Sequence, residues 1–356
     1  MVFFFCAMPH RYKAGGGVMD KKECYRGIYN ILPLEIRKRV QDFERLNEIR
    51  IRSGKPVVLH YDNCEFFLDN NKGVTHDRKC AYIVKEQDIK QLIDYICNYS
   101  RYAFSEQLRN GYLTIEGGHR IGVAGRVIVE EGRVKDLSNI SFINIRIAHQ
   151  IKGAGKKVIP YILNGEQIYN TLIISPPGCG KTTLLRDIIR ILSDGEGIPK
   201  GYNVGVIDER SEIGACYKGV PQNDLGCRAD VLDGCPKAEG MMMLLRSMSP
   251  KVIAVDEIGS GKDAEAIEYI MKSGTNVIAT VHGLDMGEIR DKQVFNRLVR
   301  EGAFKRYIVL EGGMVGRVSR IFDERGSILY IRTQREQECL KRESHIVKGK
   351  NVVMTA

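Results

Sequence analysis

The chain has no tryptophan, which by itself excludes nothing. Other absences exclude more. None of its ten cysteines sits in a Cys-x-x-Cys pair, and several lie inside apolar runs, such as Cys97 in DYICNY. That spacing argues for reduced thiols in a cytosolic setting rather than for a disulfide framework. Cys216, Cys227 and Cys235 do cluster, but zinc sites draw on tighter pairs, and no metal is expected there. No apolar run approaches the ~20 residues that cross a bilayer as a helix, so any membrane role is expected to be peripheral. The opening MVFFFCAMPH is apolar but short, with no basic residue before it and no small-residue cleavage site after it. That is not the pattern of a signal peptide. Met19 is an alternative start, which would make residues 1–18 a translated upstream extension. No internal repeat is visible.

What is present is enough for two ordinary domains, in a chain of 356 residues. Lys plus Arg outnumber Asp plus Glu by 54 to 44, a formal charge of +10. That excess permits contact with acidic lipid, nucleic acid or acidic protein and does not choose among them. Residues 20–150 mix helical patterns with alternating strands. In NEIRIRS the isoleucines Ile49 and Ile51 share one face and the arginines the other. The GG and EG steps in YLTIEGGHRIGVAGRVIVEEGRVKD mark turns. An α+β domain is expected over 19–150. Residues 151–168, with three glycines and a proline, are read as a linker. From 169 to 335 short apolar strands (NTLIIS, NVGVID, KVIAVDE, NVIATVH) alternate with helices. That grammar implies an α/β domain, a mostly parallel sheet covered by helices on both faces. Residues 336–356 are polar and basic and are expected to form a flexible tail.

The chemistry is concentrated in this second region. SPPGCGKTT, residues 175–183, matches the phosphate-binding loop pattern except that Ser175 replaces the first glycine. The strand NTLIIS before it and the helix TLLRDIIRIL after it supply the context such a loop requires. Gly178 and Gly180 let the backbone wrap so that successive N–H groups face phosphate oxygens. The helix N-terminus adds a favourable dipole. The nucleotide-binding candidates are therefore Ser175, Pro176, Pro177, Gly178, Cys179, Gly180, Lys181, Thr182 and Thr183. Lys181 would reach the β- and γ-phosphates, and Thr182 would offer its hydroxyl to Mg2+. KVIAVDEIG, residues 251–259, is an apolar strand ending in acids. Asp256 would hold the Mg2+ through water. A carboxylate beside that ligand, Glu257, can orient and deprotonate an attacking water, which favours ATP hydrolysis over kinase chemistry.

Two further strand ends join them. VGVIDERSEIG, residues 204–214, ends in Asp208, Glu209 and Glu212, and Glu209 is a second candidate for polarising water. NVIATVHG, residues 276–283, ends in His282, at the carboxyl edge of a parallel sheet where ligands gather. His282 is read as a γ-phosphate contact or sensor, with Thr280 on the same side of the strand. A cation at the γ-phosphate gains roughly 10³–10⁵ in rate when it arrives as an arginine finger. The candidates are Arg210, Arg228, Arg246 and, in the first domain, Arg120 and Arg146; position alone does not rank them.

These elements, in this order, resemble the secretion-ATPase superfamily of type II and type IV secretion and pilus motors. There they form the Walker A motif, the Asp box, the Walker B motif and the His box. Within it, SPPGCGKTTLLRD, VIDERSEI, DVLDGCPKAEGMMMLLRSMSP and IAVDEIG are similar to the stage III sporulation AA family of spore-forming Firmicutes. NEIRIRSGKPV, YAFSEQLRNGYLTIEGGHRIGVAGRV and INIRIAHQIKG in the first domain agree with it. On that resemblance, Lys181 and Thr182 take the Walker A roles, Asp256 and Glu257 the Walker B roles, Glu209 the Asp box and His282 the His box. Two departures stand out: Ser175 for the usual glycine, and an Asp box that reads DERSE rather than an acidic-Pro form.

The resemblance implies a RecA-like P-loop domain that binds ATP and Mg2+, hydrolyses ATP and assembles as a homo-hexameric ring with nucleotide between subunits. It implies a peripheral position at the cytoplasmic face of the mother-cell membrane. There the ring would act with other stage III sporulation operon proteins to power a channel to the forespore. Ring assembly would let arginines act in trans. The competing reading is a nucleic-acid-dependent RecA-like ATPase, which the charge allows. The sequence lacks the aromatic and basic interleaving that stacks bases, so no nucleic acid is expected. A scaffold that binds ATP without turnover is disfavoured by the presence of Lys181, Asp256 and Glu257.

Overall fold

The computed structural model describes residues 25–62, 64–71, 73–97, 111–312 and 315–332. The expectations for residues 1–18 and 336–356 lie outside them. The chain divides after Arg146 into two compact units.

The first unit opens with two short helices, Arg26–Ile31 and Leu34–Arg37, interrupted where Pro33 cannot continue the first. Strands β1 (Leu46–Arg52), β2 (Val58–Tyr61), β3 (Cys64–Leu68) and β4 (Val74–Thr75) follow, then the helix Glu86–Ile96. Strands β5 (Tyr112–Thr114), β6 (Arg120–Glu130) and β7 (Arg133–Arg146) complete a sheet of order β4-β3-β2-β1-β7-β6-β5. Every pairing in it is antiparallel. Ile49 and Ile51 are fully buried while Arg50 and Arg52 stay partly exposed, as the alternation requires. The β6–β7 turn places Glu131 and Gly132 at φ 52° and 74°. Two positive φ values in a two-residue loop give the twist that suits a hairpin.

The second unit begins with the short helix Ile159–Ile162 and a small β8 (Leu163–Asn164) and β9 (Gln167–Ile168) hairpin. Its main sheet follows: β10 (Thr171–Ser175), β11 (Val204–Asp208), β12 (Ala229–Asp233), β13 (Val252–Val255), β14 (Asn276–His282), β15 (Arg306–Leu310), β16 (Val318–Asp323) and β17 (Ile328–Ile331). The order is β12-β11-β13-β14-β10-β15-β16-β17. The strands from β12 to β15 run parallel, and β16 and β17 are added antiparallel. The result is a mixed α/β sheet of the P-loop, RecA-like kind.

Helices cover both faces because the strands are apolar on both. On β10, Ile173 packs with Leu184, Leu185 and Ile188 of the helix Lys181–Asp194. Leu172 and Ile174 pack on the other side, in the core that holds Met241, Ile267 and Ile270 of the helices Lys237–Ser247 and Gly261–Lys272. At about 25 cal/mol per Å² of apolar area, such two-sided burial is the main stabilising force of the domain. The segment 151–168, expected as a linker, contributes Val158, Ile159, Ile162 and Ile168 to the first of these cores. Its apolar side chains outweigh its glycines. Among the described residues no helix is long and apolar enough to cross a membrane.

Candidate active site

The loop after β10 is shaped by two glycines. Gly178 and Gly180 have φ 75° and 83°, where a Cβ is unfavourable. At Gly180 a Cβ would also come within 2.3 Å of the Gly316 backbone nitrogen. That nitrogen donates to Cys179 O at 2.8 Å, so a neighbouring turn braces the loop. Ser175, in the place of the usual glycine, is fully buried, and its Oγ donates to Pro176 O at 2.8 Å. The hydroxyl is satisfied inside the turn, and the loop needs no glycine there. The helix Lys181–Asp194 starts at the lysine itself.

The acids after β13 meet this loop across β14. Thr182 Oγ1 donates to Asp256 Oδ2 at 2.6 Å. Glu257 collects three cationic or imidazole side chains. Lys181 Nζ lies 2.5 Å and His282 Nε2 3.0 Å from its Oε1, and Arg210 Nη1 donates to Oε2 at 2.9 Å. Burial pushes the Glu257 carboxyl up, but Lys181, His282 and Arg210 outweigh it and hold the group below the usual carboxylate range. His282 is placed by register: it pairs with Ser175 at the carboxyl ends of β14 and β10.

The acids after β11 behave differently. Asp208 is buried and accepts from the backbone nitrogens of Glu212, Ile213 and Gly214 at 2.8, 3.0 and 2.7 Å. Burial raises its carboxyl above the usual value despite those bonds. Its work is to fold the 209–214 loop, in which Ser211 sits at φ 52°. Glu209 is ion-paired with Lys237 at the start of the helix Lys237–Ser247. Asp208, Glu209, Arg210, Glu212, Lys237, Asp256 and Glu257 line one small cleft.

A match to the family model described as sporulation stage III, protein AA spans residues 19–329. The chain belongs to that family. It is 42% identical over 290 residues to stage III sporulation protein AA of Bacillus subtilis (strain 168), covering 81% of this chain and 90% of that one. It is also 30% identical over 149 residues to protein SEEDLING PLASTID DEVELOPMENT 1 of Arabidopsis thaliana, 41% of this chain but only 21% of that protein. Among solved structures, the pilus retraction motor PilT with bound ADP superposes with a TM-score of 0.53 at 16% identity, covering 85% of each chain. At that identity the likeness is one of fold.

This member of the sporulation stage III AA family thus brings Lys181, Thr182, Arg210, Asp256, Glu257 and His282 together. Within the same unit, Arg228 and Arg246 lie elsewhere. Arg228 donates to Ser193 O at 2.9 Å, near the far end of the P-loop helix. Twelve helical residues at 1.5 Å rise put about 18 Å between Lys181 and Ser193, out of reach within one protomer. Arg246 is exposed at the end of its helix. Arg120 and Arg146 belong to the first unit, where they pair in register across β6 and β7; the Arg120 guanidinium stacks 3.8 Å over the Tyr112 ring. The candidate thiols have different surroundings. Burial pushes Cys216 up to about 12, while Cys227 is exposed. Among the described residues no group of three metal-ligating side chains is assembled.

Two participants were not singled out by sequence reasoning. Lys237 sits in DGCPKAEG with no motif to flag it. Arg186 donates to Ile213 O at 2.8 Å and Glu212 O at 2.6 Å, tying the P-loop helix to the loop after β11. It lies one helical turn beyond Thr182, on the same face, and that spacing was a usable signal.

Proposed function

We propose that this chain is an ATP-hydrolysing motor that works as a homo-hexameric ring and energises a channel between mother cell and forespore. The observation that carries the reading is the convergence of Lys181, His282 and Arg210 on the Glu257 carboxylate, beside the Thr182–Asp256 pair. Thr182 and Asp256 offer the hard oxygen ligands that Mg2+ prefers, and they would hold it against the β- and γ-phosphates. Bound there, Mg2+ would neutralise the charge that builds on the phosphate oxygens.

The remaining steps belong to the protein. The backbone N–H groups of 178–182 cradle the phosphates at the helix N-terminus. A phosphate and Glu257 compete for the same ammonium. A triphosphate seated in the loop takes Lys181 and leaves Glu257 with His282 and Arg210. The carboxylate then orients a water and accepts its proton as the water oxygen bonds the γ-phosphorus and the bond from that phosphorus to the departing ADP oxygen breaks. Glu209 is ion-paired with Lys237, so Glu257 is the acid proposed as the base. Arg120 and Arg146 are proposed as cations toward the phosphates, from the same or a neighbouring subunit. Assembly is peripheral to the cytoplasmic face of the membrane, with other stage III proteins as partners.

The test is mass in solution with and without a non-hydrolysable ATP analogue, alongside phosphate release from ATP. A nucleotide-dependent hexamer with turnover is expected. A strict monomer removes the ring, and absence of turnover removes the enzyme. Stimulation by RNA or DNA that collapses steeply with salt would favour the nucleic-acid-dependent reading instead.

A further inference from the structure

Glu257 has φ 53°, the left-handed region that disfavours a residue with a Cβ. Something outside the segment has to hold it there. The backbone nitrogen of Glu257 donates to Thr280 Oγ1 at 2.8 Å. Thr280 Oγ1 in turn donates to Asp256 Oδ1. The next residue is held by the same neighbour, since Ile258 N donates to Thr280 O at 2.9 Å. The register explains the contact. The β13–β14 ladder ends at Val255 and Ala279, so Thr280 is the first β14 residue to face chain that has left the sheet. Thr280 is fully buried. Its single hydroxyl proton goes to one acid and its lone pair takes the N–H of the other.

We propose that Thr280 is a positioning residue for both acids. It sets the Asp256 carboxylate toward Thr182 and locks the backbone turn that aims Glu257 at Lys181 and His282. The inference rests on the functional reading above and adds a residue that touches neither phosphate nor water. His282, two residues further along the same side of β14, holds the Glu257 carboxylate. Thr280 holds its backbone. The two side chains of β14 fix different ends of the same residue.

The full-length chain with Thr280→Val, Thr280→Ser and Thr280→Cys tests it. Valine keeps the shape and loses the hydroxyl, serine keeps the hydroxyl, and cysteine keeps a side chain of similar size with a weak donor. Valine and cysteine are expected to lower kcat by roughly 10²-fold, with the KM for ATP within about twofold. Serine is expected to stay within about threefold of the parent, because its hydroxyl makes both bonds. Equilibrium binding of a non-hydrolysable ATP analogue, with and without Mg2+, gives a readout independent of turnover. The affinity gained on adding Mg2+ is expected to shrink by about tenfold in the valine and cysteine variants and not in serine. Wild-type turnover and Mg2+ gain in the valine or cysteine variant would overturn the inference. So would a serine variant as poor as cysteine, since that assigns the role to the methyl group. If the parent chain shows no Lys181-dependent turnover, the functional reading fails by itself, and the Mg2+-dependent binding still decides the role of Thr280.

Discussion

The strand ends after β11 and β13 read almost alike in the sequence, as VGVIDE and VIAVDE, and they do different work. After β13 the acids turn outward to the phosphate loop: Asp256 meets Thr182, and Glu257 meets Lys181. After β11 the first acid turns inward. Asp208 spends its carboxylate on backbone N–H groups of its own loop, and Glu209 is neutralised by Lys237. The difference follows from neighbours. β14 lies between β13 and the P-loop strand β10, and its Thr280 and His282 hold the β13 acids there. β11 lies one strand further out, beside β12. An apolar strand that ends in acids says where a site is; the adjacent strand decides which acid serves it.

Three sets of substitutions would break or sharpen this contrast. Lys181→Ala removes the group that the β13 acids face and is expected to lower turnover by roughly 10³-fold or more. Unchanged phosphate release in that variant would move the site elsewhere. Glu257→Gln is expected to keep nucleotide binding and slow hydrolysis by roughly 10²-fold, while Glu209→Gln stays within about tenfold. The reverse ranking, with Glu209→Gln dead and Glu257→Gln active, would make the β11 end the catalytic one.

Asp208→Asn is a stability test. Losing charged acceptance of three backbone N–H groups is expected to cost about 2 kcal/mol in denaturant unfolding, with turnover affected less than in Glu257→Gln. The same pair of variants separates in acid. Glu257 is depressed in the folded protein, so its contribution is present above the unfolded value of about 4.3 and is lost as pH falls through the folded value. Asp208 is raised, so its contribution is present below about 3.9 and is lost as pH rises through its folded value. Glu257→Gln should therefore flatten the loss of stability on acidification, and Asp208→Asn should steepen it. Parallel slopes in both variants would mean that the two strand ends carry the same electrostatics.

Much of the site was legible because local rules write it. The loop at 175–183 is recognisable from its glycines, its lysine and the strand and helix around it, and the strand ends from apolar runs that stop at an acid or a histidine. Thr280 could be placed on the same side as His282 by the period of two alone. That its hydroxyl serves two acids could not, because it depends on β14 running three residues past the point where its pairing with β13 ends. Arg228 shows the converse. It is one of five arginines that position alone does not rank, and its side chain is anchored to Ser193. In residues 151–168 the glycines and proline have the composition of a linker, while Val158, Ile159, Ile162 and Ile168 are buried in the core by packing that composition does not show.

What the sequence by itself determined is the chemistry available: a loop that can wrap a phosphate, one lysine, a hydroxyl, and acids at strand ends. These follow from φ preferences, hydrophobic period and side-chain type, all of which act within a few residues. Only the tertiary structure decided which of the acids faces the lysine. That choice depends on the strand order β11-β13-β14-β10 and on where each ladder ends, contacts between residues 74 to 76 positions apart such as Thr182 with Asp256 and Lys181 with Glu257. Such pairings are selected by burying both faces of the sheet at once, a property of the whole domain that no local stretch of sequence encodes.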